Sequence, residues 1–346
     1  MKALFSKLSD WQHWPFYLFY FPISYIWLWY YLRTKSLWFF TSSNPTLAFG
    51  GFEGEGKSVM CSRLPPEFCV PSVYVEKGSS ISKVLEAVEA HKFSYPFIVK
   101  PDVGMKGILF RKIESEAQLI LYHERMPAKY IIQPFLDTAI EVSVFYCRLP
   151  SNSRGMITAL IQKNLFTVQG DGISTLQQLV ERSFGPDKHL LRQHQQHLKK
   201  VLAKGEHYVL SYIANLVNGA QFINLTHLVD QELVSIFDRI SHQADFFYGR
   251  YDIKCNSVED LKVGNFKILE FNGAGSVPNH IYTGTFTLTG AYREILYHWR
   301  LMYQISKENN RKGYRYWSFN KGRLFLKRSK QHFKLLQKID RELVLE

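Results

Sequence analysis

The sequence contains no cysteine pair at the spacing of a metal site and nothing approaching the density of a disulfide scaffold. Cys61, Cys69, Cys147 and Cys255 are dispersed, the pattern of four reduced thiols on the cytosolic side of a membrane. No internal repeat is present. Residues 11–32 carry no formal charge, and twelve of these twenty-two residues are Trp, Phe or Tyr. Even so, the segment does not read as a simple membrane span. Pro15 and Pro22 interrupt the run of roughly 20 apolar residues that spanning requires, and no small-residue cleavage site follows to make it a secretory signal. It is expected to lie at an interface or against the body of the protein. Acidic residues are scarce at the other end: residues 307–341 hold twelve Lys or Arg against only Glu308 and Asp340, which accounts for ten of the net +13 charges. A tail of this kind points to an anionic surface and carries no information about fold.

Apolar content is ample, with 46% hydrophobic and 15% aromatic residues over 346 positions, enough to bury a substantial core. Residues 42–71 are rich in Gly, Pro and Ser and read as loops with a short strand at 46–49. Helical spacing appears at 81–91, 114–122 and 231–244. Strands are expected at 97–99, 108–110, 130–133, 140–146, 249–254 and 266–272. Ser174-Thr-Leu-Gln177 has the capping-box pattern of a helix start, and Gly185-Pro186 stops that helix. The order is mixed α+β with largely antiparallel sheets.

Three constellations carry chemistry. Arg250-Tyr-Asp252 and Ile268-Leu-Glu270-Phe-Asn272 place two carboxylates and a carboxamide on successive strands, with Glu270 and Asn272 on one face. These hard oxygen donors suit one or two Mg²⁺ ions that also hold phosphates. Tyr95-Pro-Phe-Ile-Val-Lys100 ends a buried strand on a lysine, and the following Gly104-Met-Lys106-Gly107 lets backbone N–H groups approach an anion. Tyr130-Ile-Ile-Gln133-Pro-Phe135-Leu136, then Glu141, forms an apolar strand turning into a connector, which suits adenine and ribose.

In this order and spacing the three resemble the ATP-grasp superfamily, nearest its D-alanine:D-alanine ligase-like and cyanophycin synthetase-like branches. The run Gly170-Asp-Gly-Ile-Ser-Thr-Leu-Gln-Gln-Leu179 is similar to a segment of the latter. The resemblance covers about 195 residues. It implies an ATP-grasp fold, two α+β subdomains with largely antiparallel sheets gripping ATP, over residues 94–300. An aromatic segment (1–41) and a short region (42–93) precede it, and a basic helical tail (301–346) follows. It further implies that Lys100 binds the α/β phosphates, that Gly104, Lys106 and Gly107 form the flap, and that Gln133, Phe135 and Leu136 make the adenine hinge. Glu141 would bind ribose, and Asp252, Glu270 and Asn272 would hold two Mg²⁺ ions, Mn²⁺ being an alternative. Arg250 and the Gly275 N–H would stabilise the oxyanion. The implied reaction activates a carboxylate as an acyl phosphate and passes it to an amine of an amino acid or peptide-like substrate. Departures exist: Gln133 stands where many such ligases have glutamate, and residues 272–278 lack the Pro-Gly-Met ending. The family's first nucleotide-binding lysine has three candidates, Lys77, Lys83 and Lys92.

Two other readings compete. Gly51-Phe-Glu-Gly-Glu-Gly56-Lys57-Ser58 fits the P-loop pattern of a kinase or NTPase, but Pro65 and Pro66 leave little room for the required helix, and two glutamates would repel phosphate. Lys57 is instead expected to approach the substrate carboxylate. A non-catalytic ATP-binding module recruited to a membrane is the other alternative; no nucleic-acid reading motif is present. For the membrane, Trp27, Trp29, Tyr30 and Tyr31 are expected at headgroup level. Phe333, Leu336, Ile339 and Leu343 would form a second, lipid-facing stripe on a basic helix, placing the protein on the cytosolic face. The opposing expectation is that both ends pack on the body.

Overall fold

Pro15 and Pro22 decide how the aromatic segment folds in the computed structural model, which describes residues 11–185, 190–191, 194–214, 219–343 and 345. Helix α1 (Phe16–Tyr20) starts directly after Pro15, Pro22 sits in a 3₁₀ turn (Phe21–Ile23), and α2 (Ser24–Thr34) ends at Lys35 in the left-handed region with φ 54°. No helix among the described residues is long and apolar enough to cross a membrane. The inner side of this pair is buried. Trp11, Phe19 and Ile23 share a core with Ile281 and Ile295, and the Tyr30 ring stacks on Tyr303 at 4.3 Å. After α2 the chain is tied down by Asn44, whose buried amide donates to the carbonyls of Gly50 and Tyr248 and accepts from the backbone N–H groups of Phe247 and Tyr248.

Two compact units follow from the contacts, residues 1–162 with 224–346 and, inserted between them, residues 163–223. The first unit contains α3 (Lys57–Cys61), β1 (Val73–Val75), α4 (Ile81–Ala90), β2 (Phe97–Pro101), β3 (Arg111–Ile113), α5 (Glu116–Arg125), β4 (Tyr130–Pro134) and β5 (Ile140–Cys147). Strands β1-β4-β2-β3 make a four-stranded sheet, antiparallel throughout. The apolar positions of α4 and α5, Val84, Val88, Leu119 and Tyr122, are buried against it. The chain leaves along β6 (Met156–Asn164), forms β7 (Phe166–Gln169), α6 (Leu176–Phe184) and β8 (His207–Ser211) in the inserted unit, and returns along β9 (Gln221–Asn224). That unit has its own small core of Val168, Leu176, Leu179, Val180, Leu202 and Leu210.

Helix α7 (Gln231–Ala244) is capped by Asp230, whose side chain accepts from the Leu233 N–H. It buries Leu233, Phe237, Ile240 and Ala244, one face at helical spacing. These pack on β5 and β10 (Tyr248–Cys255) through Val142, Val144, Tyr251 and Ile253. After α8 (Val258–Lys262), β11 (Lys267–Asn272) completes the order β11-β10-β5-β6-β9. Two 24-residue helices, α9 (Leu288–Arg311) and α10 (Phe319–Glu342), end the chain.

Several expectations change. Residues 46–49 form no strand, because Phe49, Gly50 and Gly51 have φ of 53°, 67° and 69°, outside the extended region. The strand expected at 108–110 is displaced to β3, since Leu109 has φ 54° and its carbonyl is held by the Tyr122 hydroxyl at 2.9 Å. The capping box is Thr175 with Gln178, one residue later than expected, because Ser174 instead donates to Asp171 at 2.7 Å. The largest correction concerns the carboxyl-terminal stripe: Leu336 and Leu343 are buried in the core of the four-stranded sheet with Ile339 packed against it, and Phe333 is buried too. Asp340 seals the contact by accepting from the Leu109 N–H at 2.8 Å and pairing with Arg111 at 2.9 Å. The stripe is therefore covered by protein. Tyr30, expected at headgroup level, is likewise buried, and Trp27 packs on Phe39 and Trp299.

Candidate active site

Strands β10 and β11 pair antiparallel with Asp252 opposite Glu270 and Arg250 opposite Asn272, so the period-2 alternation brings all four side chains to one face. Asp252 is buried and fully engaged. It accepts from Arg250 Nε and Nη2 at 3.0 and 3.1 Å, from Ser143 at 2.6 Å and from Asn272 Nδ2 at 3.2 Å. The third guanidinium nitrogen of Arg250 reaches Asn279 Oδ1 at 3.1 Å. Burial disfavours the Arg250 cation, but the charge of Asp252, its hydrogen bonds, and then Glu270 and Glu141 outweigh that, so its pKa lies above the ordinary value.

Lys100 arrives from the end of β2 and is half-buried. Loss of water and then the neighbouring Lys57 charge push its pKa down to about 8, against the pull of Glu270, Cys61 and Glu141. Lys57 itself is buried, with Nζ 3.8 Å from Glu270 Oε2 and donating to the Gly104 carbonyl at 3.2 Å. It thus links the flap loop to the strand of oxygen donors. Asp102 fixes its position: the Lys57 N–H donates to the Asp102 carbonyl at 3.1 Å, while the Ser58 N–H and hydroxyl donate to the Asp102 carboxylate at 2.7 and 2.8 Å. Gly56 permits this approach, since a Cβ there would lie 2.9 Å from Asp102 Oδ2.

The Gly-rich stretch is therefore part of the site, yet not as a P-loop. Among the described residues no strand precedes it, and α3 has five residues, so the strand–loop–helix setting is missing there. It packs instead on the turn after β11, where the Ala274 N–H donates to Gly50 at 3.0 Å and the Gly275 N–H to Gly51 at 3.4 Å. The Gly275 N–H is thus directed at the Gly51 carbonyl. Glu55, in the same stretch, is pushed up to about 7 by burial, the Ala48 N–H opposing and the Asp102 charge adding. Near neutral pH its repulsion of phosphate is correspondingly reduced.

Lys77, Lys83 and Lys92 are all exposed; Lys57 is the lysine that stands beside Glu270. The flap residues Lys106 and Gly107 occupy left-handed conformations, φ 53° and 79°. At the expected hinge, Gln133 is buried and donates to Ser72 at 2.8 Å, Phe135 lies under Lys112 at 5.2 Å, and the Leu136 carbonyl accepts from Lys254 at 3.2 Å. Lys254 is the cross-strand partner of Glu141, so hinge and expected ribose carboxylate meet the same residue.

Asp252, Glu270 and Asn272 offer hard oxygens on paired strands and fit Mg²⁺ in kind. Among the described residues no group of three or more His, Cys, Asp or Glu is placed to hold a metal ion. Buried Lys57 and half-buried Lys100, whose pKa the Lys57 charge helps to lower, fit a phosphate chain.

No protein-family model and no curated protein matches the sequence. Among solved structures, a bifunctional glutathione synthetase from Pasteurella multocida is 15% identical with a TM-score of 0.37 over 67% of this chain and 33% of its own. A D-alanine–D-alanine ligase from Bacillus anthracis is 12% identical with a TM-score of 0.43 over 73% of this chain and 68% of its own. A D-alanine–D-alanine ligase from Helicobacter pylori is 14% identical with a TM-score of 0.39 over 72% and 60%. All three are ATP-grasp ligases. The chain spans a third of the length of the glutathione synthetase.

Proposed function

We propose that this chain is an Mg²⁺- and ATP-dependent ligase that activates a carboxylate and joins it to an amine. The observation that supports this best is the convergence of Lys57, Lys100 and Arg250 on the face that carries Asp252, Glu270 and Asn272. In the proposed reaction a carboxylate oxygen attacks the γ-phosphorus and ADP leaves; an amine then attacks the acyl carbon, expels inorganic phosphate and loses a proton, leaving an amide. Lys57 and Lys100 bind and align the phosphates, which is most of what phosphoryl transfer asks of a protein. Mg²⁺, when bound, supplies charge neutralisation at the transferring phosphoryl group. Arg250, held by Asp252 and Asn279, is oriented to stabilise the tetrahedral oxyanion. The flap, gathered towards Lys57 through Gly104, excludes water.

The test is ADP and phosphate release measured over a panel of carboxylates with and without amino acid or peptide amines. Hydroxylamine trapping should yield a hydroxamate with the correct carboxylate. Failure to bind ATP with Mg²⁺ present would overturn the reading. ATP hydrolysis that no carboxylate stimulates, with no hydroxamate formed, would favour an NTPase.

A further inference from the structure

Residues 16–32 hold nine of the twenty-six large apolar side chains that are exposed among the described residues. They belong to α1, α2 and the turn between them, whose inner side is already buried through Phe19, Ile23 and Tyr30. Phe16 and Phe21 are 75% and 78% exposed, and Tyr25, Leu28 and Leu32 are more than half exposed. One buried side is what a packed helix needs; a second apolar side facing water marks an interaction surface.

Charge identifies what it meets. No acidic residue occurs between positions 11 and 52, nor between Glu308 and Asp340. At the carboxyl end of α2, Tyr31 and Lys35 line a cavity of about 660 Å³ with Arg315 and Phe319. Phe319 is shared with a second groove of about 460 Å³, lined by Arg323, Lys327, Lys330 and Lys334 of α10. An apolar face therefore runs into a cationic groove with no carboxylate in either stretch. A second copy of this chain docking here would set two such surfaces against each other, at a like-charge cost.

We infer that this face docks the protein on an anionic lipid bilayer. The outer side of α1 and α2 enters the headgroup–acyl boundary, with Tyr17, Tyr25 and Trp29 keeping polar edges wet, and the groove takes phosphate headgroups. The buried stripe of α10 takes no part; that helix contributes its cations and Phe319.

The experiment is flotation of the full-length protein with phosphatidylcholine vesicles and with phosphatidylcholine–phosphatidylglycerol vesicles. The protein should float with the anionic vesicles at low salt, stay behind with the neutral ones, and release as salt rises. Phe21→Glu with Leu28→Glu should weaken binding at least about tenfold, and Lys327→Glu with Lys330→Glu should weaken it at low salt, both with unchanged ATP turnover. No flotation with anionic vesicles at low salt overturns the inference. So does equal flotation of the Phe21→Glu, Leu28→Glu variant, or a lipid-free dimer that this variant dissociates, which would assign the face to a second copy. Flotation reads no catalysis, so its failure leaves the proposed ligase reaction standing, and failure of the reaction leaves the docking face standing.

Discussion

The two sides of the candidate site are assembled in different ways. The oxygen side, Asp252, Glu270 and Asn272, stands on two neighbouring strands whose ladder fixes their spacing. The cationic side is gathered from the start of α3 ahead of the first sheet, from the end of β2 and from β10. Their electrostatics differ as well: Asp252 is satisfied by Arg250, Ser143 and Asn272, whereas buried Lys57 and half-buried Lys100 repel one another. One side rests in hydrogen bonds, and the other holds positive charge that an anion would relieve.

The sharpest way to break this comparison is Glu270→Gln. It should retain the fold, read by circular dichroism, and lower ATP turnover about a hundredfold or more through lost charge at the transferring group; turnover like the native protein would remove Glu270 from the site. Next come the lysines: Lys100→Ala and Lys57→Ala should each weaken ATP binding about ten- to a hundredfold in calorimetry. If Lys57→Ala binds as the native protein does, the cationic side is narrower than drawn. A smaller effect is expected of Asp102→Ala, which touches no phosphate but positions Lys57 and Ser58. It should raise KM for ATP about tenfold while Lys100-dependent binding persists, and a change in kcat alone would contradict a positioning role.

The smallest effect is in pH. Lys100 is charged below about 8, lower than its ordinary 10.5, so ATP affinity should be full below pH 8 and fall as pH rises through it. Binding near pH 8 should take up a proton, seen as a buffer-dependent heat. In Lys57→Ala the midpoint should move upward, because one of the causes of the depression is gone. An unmoved midpoint would show that burial alone sets it.

How much of this was legible follows from the same contrast. Alternation within 249–254 and 266–272 marks the strand pair and which of its residues share a face, and helix α7 has the bounds that its helical spacing predicts. Lys57 was expected beside the substrate carboxylate, but its contact with Glu270 was out of reach because its surroundings spell a different motif and that contact spans most of the chain. The register of α6 slipped by one where Ser174 and Thr175 are both competent caps; the choice was made by Asp171. For α10 the spacing showed an apolar stripe, and a stripe does not say whether lipid or protein covers it. Only the Leu336 and Leu343 contacts with the first sheet do.

Asn44 carries a practical consequence. Its amide substitutes for backbone, closing two N–H groups and two carbonyls that include both polar groups of Tyr248, two residues ahead of Arg250. A chain cut back to the three motif constellations would strip that brace and leave buried donors open, each costing about 1–3 kcal/mol. The upstream segment is therefore scaffolding for β10, and the smallest part of this protein that keeps the candidate site intact begins well before the first motif that points to it.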